Sequence, residues 1–251
     1  MEIRVVRVAC CTVATLLSLA GMARAVPCLN PSDCSEWIGS GSSRVLVYRS
    51  HALATTNPNI TRAVVVVHGA GRDADNYFRH MLAAAFLGGA LESTVVISPR
   101  FASNDGNGCT DKIADREARW QCDGPERWTA GGRAVDNVGV TTFEVMDELL
   151  MKLSRRDAFP NLRSIVLAGH SAGGQFVNRY EMANQVHEKL AVPVRYIVAN
   201  PSSYGYLDAT RPSVTVLATN VSALGPGYVA ALPDKPPAPF APFGDAANCT
   251  A

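Results

Sequence analysis

Residues 164–180, SIVLAGHSAGGQFVNRY, constrain the fold of this chain more than any other stretch. The apolar run 164–169 reads as a buried strand, and 172–189 carries a helical pattern. Only the middle of Gly169-His170-Ser171-Ala172-Gly173 is left to make the turn between them. A strand that passes so abruptly into a helix forces its turn residue, Ser171, into a strained conformation. Side chains two positions before and after that residue would then collide, and Gly169 and Gly173 remove the collision. The helix aims its first free N–H groups at the serine, so the Ala172 N–H is placed to bind an anion.

A lone Gly-x-Ser-x-Gly arises by chance in about one chain in ten of this length, so the flanking elements carry the weight. A second segment fits the first. In VVVVHGAGRDADNYF (64–78) an apolar strand ends at His68-Gly69, and a glycine-bearing loop leads into the next helix. His68 precedes the serine at the end of a different strand, and reads as a buttress of that loop rather than as a base.

Around these two segments, short β-branched runs alternate with helical patterns, the signature of a mostly parallel sheet with helices on both faces. The first strands are 44–50 and 63–69, followed by a helix over 75–89 and a strand over 93–100. Residues 101–137 are polar and read as a long loop. An amphipathic helix covers 138–156, with Phe143, Met146, Leu150 and Leu153 on one face and Pro160 beyond it. The last strand is 194–201. Residues 225–251 are rich in Pro and Ala and read as loop or disorder.

The order strand–HGAG–helix–strand–helix–strand–GHSAGG–helix–strand resembles the first two-thirds of the α/β-hydrolase superfamily, over about residues 44–206. More narrowly, FPNLRSIVLAGHSAGGQFVNRY with NPSSYGYLD downstream is similar to a group of secreted hydrolases. The resemblance implies carboxylic-ester hydrolysis through an acyl-enzyme, with Ser171 as nucleophile. Ala172 with Ala70 or Gly71 would form the oxyanion hole, and Gly169, His170 and Gly173 the nucleophile elbow. No metal or organic cofactor is implied. Peptidase or acyltransferase chemistry fits the same scaffold, and so does a non-catalytic binding protein.

In that superfamily an acid and a histidine follow the serine. Here the five histidines are His51, His68, His80, His170 and His187, and only His187 comes after Ser171. Along a helix it would lie roughly 20 Å away, beyond the reach of a general base. His170 is turned away by the elbow. Of the later acids, Glu181, Glu188, Asp208, Asp234 and Asp245, only Asp208 follows a strand, and it reads as a turn residue in YLDATRP. Two explanations stand: the hydrolase sheet is truncated at its C-terminal end, or catalysis has been lost. An unpaired Cys249 and a final segment that leaves one sheet edge uncovered favour truncation.

Residues 1–25 read as a signal peptide. Arg4 and Arg7 precede an apolar run too short to span a bilayer, and Ala23-Arg24-Ala25 offers small residues for cleavage after Ala25. The mature protein would be secreted or periplasmic, with residues 26–224 as a partial hydrolase domain and no membrane span. Export makes the cysteines disulfide candidates, and spacing favours Cys28–Cys34 and Cys109–Cys122. Neither spacing suits zinc. A balance of 23 basic to 22 acidic residues gives no reason to expect a nucleic-acid partner; a small-molecule or polymeric ester is the expected substrate. Trp120 and Trp128 either line an apolar pocket or anchor the long loop. Asn59, Asn220 and Asn248 head glycosylation sequons.

Overall fold

The computed structural model describes residues 26–206, apart from 41–42, 107 and 137–138. The expected signal peptide, residues 1–25, lies outside the described residues, as do Asp208, Asp234, Asp245, Cys249, Asn220, Asn248 and the Pro/Ala-rich segment. Six strands form one sheet: β1 (Ser35–Ser40), β2 (Ser43–Arg49), β3 (Arg62–Val67), β4 (Thr94–Pro99), β5 (Ser164–His170) and β6 (Val194–Ala199). Their order across the sheet is β1-β2-β4-β3-β5-β6. β1 and β2 form an antiparallel pair, β2 joins β4 antiparallel, and β4, β3, β5 and β6 run parallel.

Three helices connect the parallel strands: α1 (Ala74–Leu87) after β3, α2 (Thr142–Leu153) after β4 and α3 (Ala172–Ala183) after β5. Alternation along the strands assigns the faces. Val95 and Ile97 of β4 point into the main core with Met146, Leu149 and Leu150 of α2 and Phe176 and Tyr180 of α3. Val96, between them, packs on the other face against Phe78 and Leu82 of α1. A fully buried Leu or Phe contributes about 2 kcal/mol, so these faces hold the helices to the sheet.

From β3 the chain moves one way to β4, and from β4 it crosses back to β5. The loops leaving the C-terminal ends of β3 and β5 therefore diverge to opposite faces of adjacent strands, with Val67 paired to Gly169. A crevice opens at such a reversal. It brings the His68–Gly71 loop beside Ser171.

Three expectations are corrected. The hairpin strand β1 precedes the strand expected to be first, its Trp37 covered by the Arg44 guanidinium at 4.2 Å. Helix α2 begins at Thr142 rather than near 138, because Thr141 and Glu144 close a capping box: Thr141 Oγ1 accepts from the Glu144 N–H (3.1 Å), and the Glu144 carboxylate accepts from the Thr141 N–H (2.7 Å). Helix α3 stops at Ala183, where Asn184 turns to an extended conformation, so His187 lies beyond it in a separate 3-10 turn at His187–Lys189. Asn59 is exposed.

Candidate active site

Ser171 has φ 58° and ψ −122°, outside the conformations ordinary L-residues adopt. The surroundings hold it there: its N–H donates to Ala199 O on β6 (3.0 Å), and its C=O accepts from the Gln175 and Ser202 N–H groups (2.9 and 3.3 Å). The close approach of α3 to the strands accounts for the glycines. A Cβ on Gly169 would sit 2.2 Å from Gly173 O, and one on Gly173 would sit 2.3 Å from Val67 O. Gly174 is equally constrained, 2.6 Å from Ala199 O.

Across the crevice, the loop after β3 makes a tight turn in which the Arg72 N–H donates to Gly69 O (3.1 Å). Ala70 and Ala172 line the same cleft, of about 380 Å³. Among the described residues neither N–H makes a backbone hydrogen bond. Gly71, the other candidate and exposed like Ala70, does not line the cleft. Ala172 follows the strained serine directly and Ala70 lines the same cleft; two backbone donors so placed are an arrangement that can hold developing negative charge on a carbonyl oxygen.

His68 is fully buried, and both ring nitrogens are used. The Phe101 N–H, which can only donate, reaches Nε2 at 3.0 Å, so Nδ1 carries the proton and donates it to Gly69 O at 2.9 Å. The ring props up the glycine loop and packs on Trp128 at 4.7 Å between centroids. Burial pulls its pKa down to about 4, the bond to Gly69 O opposing only in part. Unfolding releases it toward 6.5, so between those pH values the unfolded chain takes up a proton the native state refuses. The stability held above pH 6.5 is then lost as pH falls toward 4, by about 3 kcal/mol in all. Urea denaturation across pH 4–7 should show this slope in the native protein and a flatter one in His68→Gln; equal slopes would contradict the assignment.

Among the described residues no histidine is hydrogen-bonded to Ser171. His51 is buried and bonded to Ser50 Oγ (3.0 Å). His80 and His170 are exposed. His187 is exposed and stacks on Tyr196. Glu181 and Glu188 are exposed as well.

The long loop 101–137 forms one wall of the cleft. Cys109–Cys122 closes it, and Cys28–Cys34 closes the N-terminal segment. Inside the loop, Arg100 Nη1 donates to both carboxylate oxygens of the buried Glu117 (2.7 and 3.0 Å). Trp120 is wholly core, stacked edge-on against Phe101. Trp128 is anchored in the same cluster but also lines the cleft, beside Arg127, Thr129 and Gln175. Sequence reading missed Arg72, Asp111, Arg127 and Gln175. Gln175 had a local signal, one helical turn after the serine; the others lie in loops without periodicity.

The strand order, the strained serine between β5 and α3 and the glycine loop after β3 define an α/β-hydrolase fold. No protein-family model matches the chain, and no curated protein does. Among solved structures it is similar to LpqC, a poly(3-hydroxybutyrate) depolymerase from Bordetella parapertussis, at 21% identity and a TM-score of 0.46 over 71% of this chain and 55% of that one. Poly(aspartic acid) hydrolase-1 from Sphingomonas sp. KT-1 matches at 21% identity and 0.43, over 71% and 60%. Thermogutta terrifontis esterase 2 matches at 16% identity and 0.38, over 75% and 61%. The chain thus spans less than two thirds of each of these proteins.

Proposed function

We propose that this chain is an exported serine hydrolase acting on carboxylic esters through Ser171 and an acyl-enzyme. Ser171 Oγ attacks the ester carbonyl, the carbonyl oxygen takes the electron pair, and the Ala172 and Ala70 N–H groups hold it. Collapse breaks the bond to the alkoxy oxygen, which leaves as the alcohol with the proton that Ser171 Oγ gave up on attack. Water then cleaves the acyl-enzyme to a carboxylic acid and regenerates the serine. The observation that carries this reading is the strained Ser171 at a glycine-cleared elbow, at a cleft lined by Ala172 and Ala70. The cleft mixes Trp128 with Thr129, Gln175 and Ser203, which favours short, oxygen-bearing acyl groups over long alkyl chains. Cleavage after Ala25 and release to a secreted or periplasmic compartment complete the proposal, and both disulfides suit an oxidising compartment.

A second reading, a binding protein that keeps the cleft without the chemistry, is favoured by one observation: no histidine is hydrogen-bonded to Ser171 among the described residues, which include all five. Turnover of 4-nitrophenyl acetate and butyrate separates the two. The esterase reading expects hydrolysis that Ser171→Ala removes. Hydrolysis unchanged in Ser171→Ala, or none by the folded protein, would favour the binding protein.

A further inference from the structure

We infer that Arg72 and Asp111 form a clamp that sets the direction of the Ala70 N–H, making both positioning residues for the oxyanion site. The inference rests on the function proposed above. Arg72 is a non-glycine residue at φ 53°, a conformation that needs support from its surroundings. Its guanidinium supplies that support through all of its nitrogens. Nε and Nη2 donate to the two oxygens of Asp111, at 2.6 and 3.1 Å, while Nη1 donates back to Ala70 O. Both side chains are largely withdrawn from water, at 10% and 14% exposure.

The far end of the clamp is fixed as firmly. Asp111 Oδ2 also accepts from the Ser103 N–H (2.8 Å), and its own N–H donates to Ser103 O (3.0 Å). Burial pushes its carboxyl up, but the bonds from Arg72 and Ser103 outweigh that and hold it below the usual carboxylate range. Asp111 lies between Cys109 and Cys122, inside the loop their disulfide closes.

Peptide planarity carries the clamp to the reaction centre. Gly69 O accepts from the Arg72 N–H and from His68 Nδ1, which turns that peptide's N–H, the one on Ala70, to the opposite side. Ala70 O, held by Arg72, fixes the next peptide plane. Both planes flanking Ala70 are therefore locked by side chains, and one lock originates 39 residues downstream. Lysine cannot replace Arg72: a single ammonium cannot span two carboxylate oxygens and a carbonyl at once.

Ester hydrolysis by Arg72→Lys, Asp111→Asn and the double variant tests the clamp, with Glu117→Gln as the control that breaks a comparable buried ion pair in the same loop. The clamp predicts that kcat falls about 10- to 100-fold in each single variant, that KM moves less than about 3-fold, and that the double variant is no slower than the worse single. Glu117→Gln should lower the melting temperature while keeping kcat. A second readout needs no turnover: the Ala70 amide resonance should shift in Asp111→Asn and stay put in Glu117→Gln. Native kcat in Arg72→Lys and Asp111→Asn, or an unmoved Ala70 resonance, would overturn the clamp alone. A native protein inert toward esters would overturn the esterase reading, and the catalytic role of the clamp with it, whatever the Ala70 resonance does.

Discussion

Gly169→Ala should cost this protein about 3 kcal/mol or more, a large share of the 5–15 kcal/mol that holds a typical domain together. The new methyl would lie 2.2 Å from Gly173 O and 2.3 Å from Gly173 C. Those atoms are backbone, and no rotamer change can relieve the contact. The first turn of α3 would have to retreat, yet it is pinned on its other side, where Gly173 leaves no room for a Cβ against Val67 O and His68 O. Chemical denaturation, or a collapse of soluble yield, reads the effect. Gly89→Ala is the contrast, because a Cβ there meets nothing within 4 Å and only its φ of +63° is strained, a cost of roughly 1 kcal/mol. Equal losses in the two variants would mean that the elbow is not the tight junction described.

Removing the disulfides separates stability from function. Cys28–Cys34 and Cys109–Cys122 close loops with sequence separations of 6 and 13. Loop-closure entropy grows only slowly with length, so Cys→Ser pairs at either site should lose similar stability, about 2–3 kcal/mol. Only the second bond holds the wall of the cleft. Without it Asp111 loses its enclosure, and the segment carrying Arg127 and Trp128 is freed at one end. The Cys109→Ser/Cys122→Ser protein should therefore lose most ester turnover at a temperature where it is still folded by circular dichroism. The Cys28→Ser/Cys34→Ser protein should keep its turnover. Equal activity in both would detach the loop from the site.

The local parts of this architecture were legible in the sequence. The passage from strand to serine to helix leaves glycine as the residue that fits at 169 and 173, so the elbow is written within a few positions. The buttressing role of His68 followed from its place before the glycine loop. The long polar loop and its disulfide were readable from composition and cysteine spacing. Hairpin strand β1 was not, because SEWIGS shows no run of β-branched residues and pairs only through its neighbour. The start of α2 was written in Thr141 and Glu144, but apolar periodicity extended the reading past the capping box. The tie between Arg72 and Asp111 had no signal at all. It joins two loops 39 positions apart, and the tertiary fold alone brings them together.

The most direct test of the central claim is the intact mass of the protein with and without a fluorophosphonate, on the native chain and on Ser171→Ala. Attack by Ser171 Oγ on phosphorus would form an O–P bond and expel fluoride, leaving one adduct per chain. The account predicts that single adduct on the native protein and none on Ser171→Ala. An adduct that survives the substitution, or its absence from a natively folded chain, would contradict the claim that Ser171 is a working nucleophile.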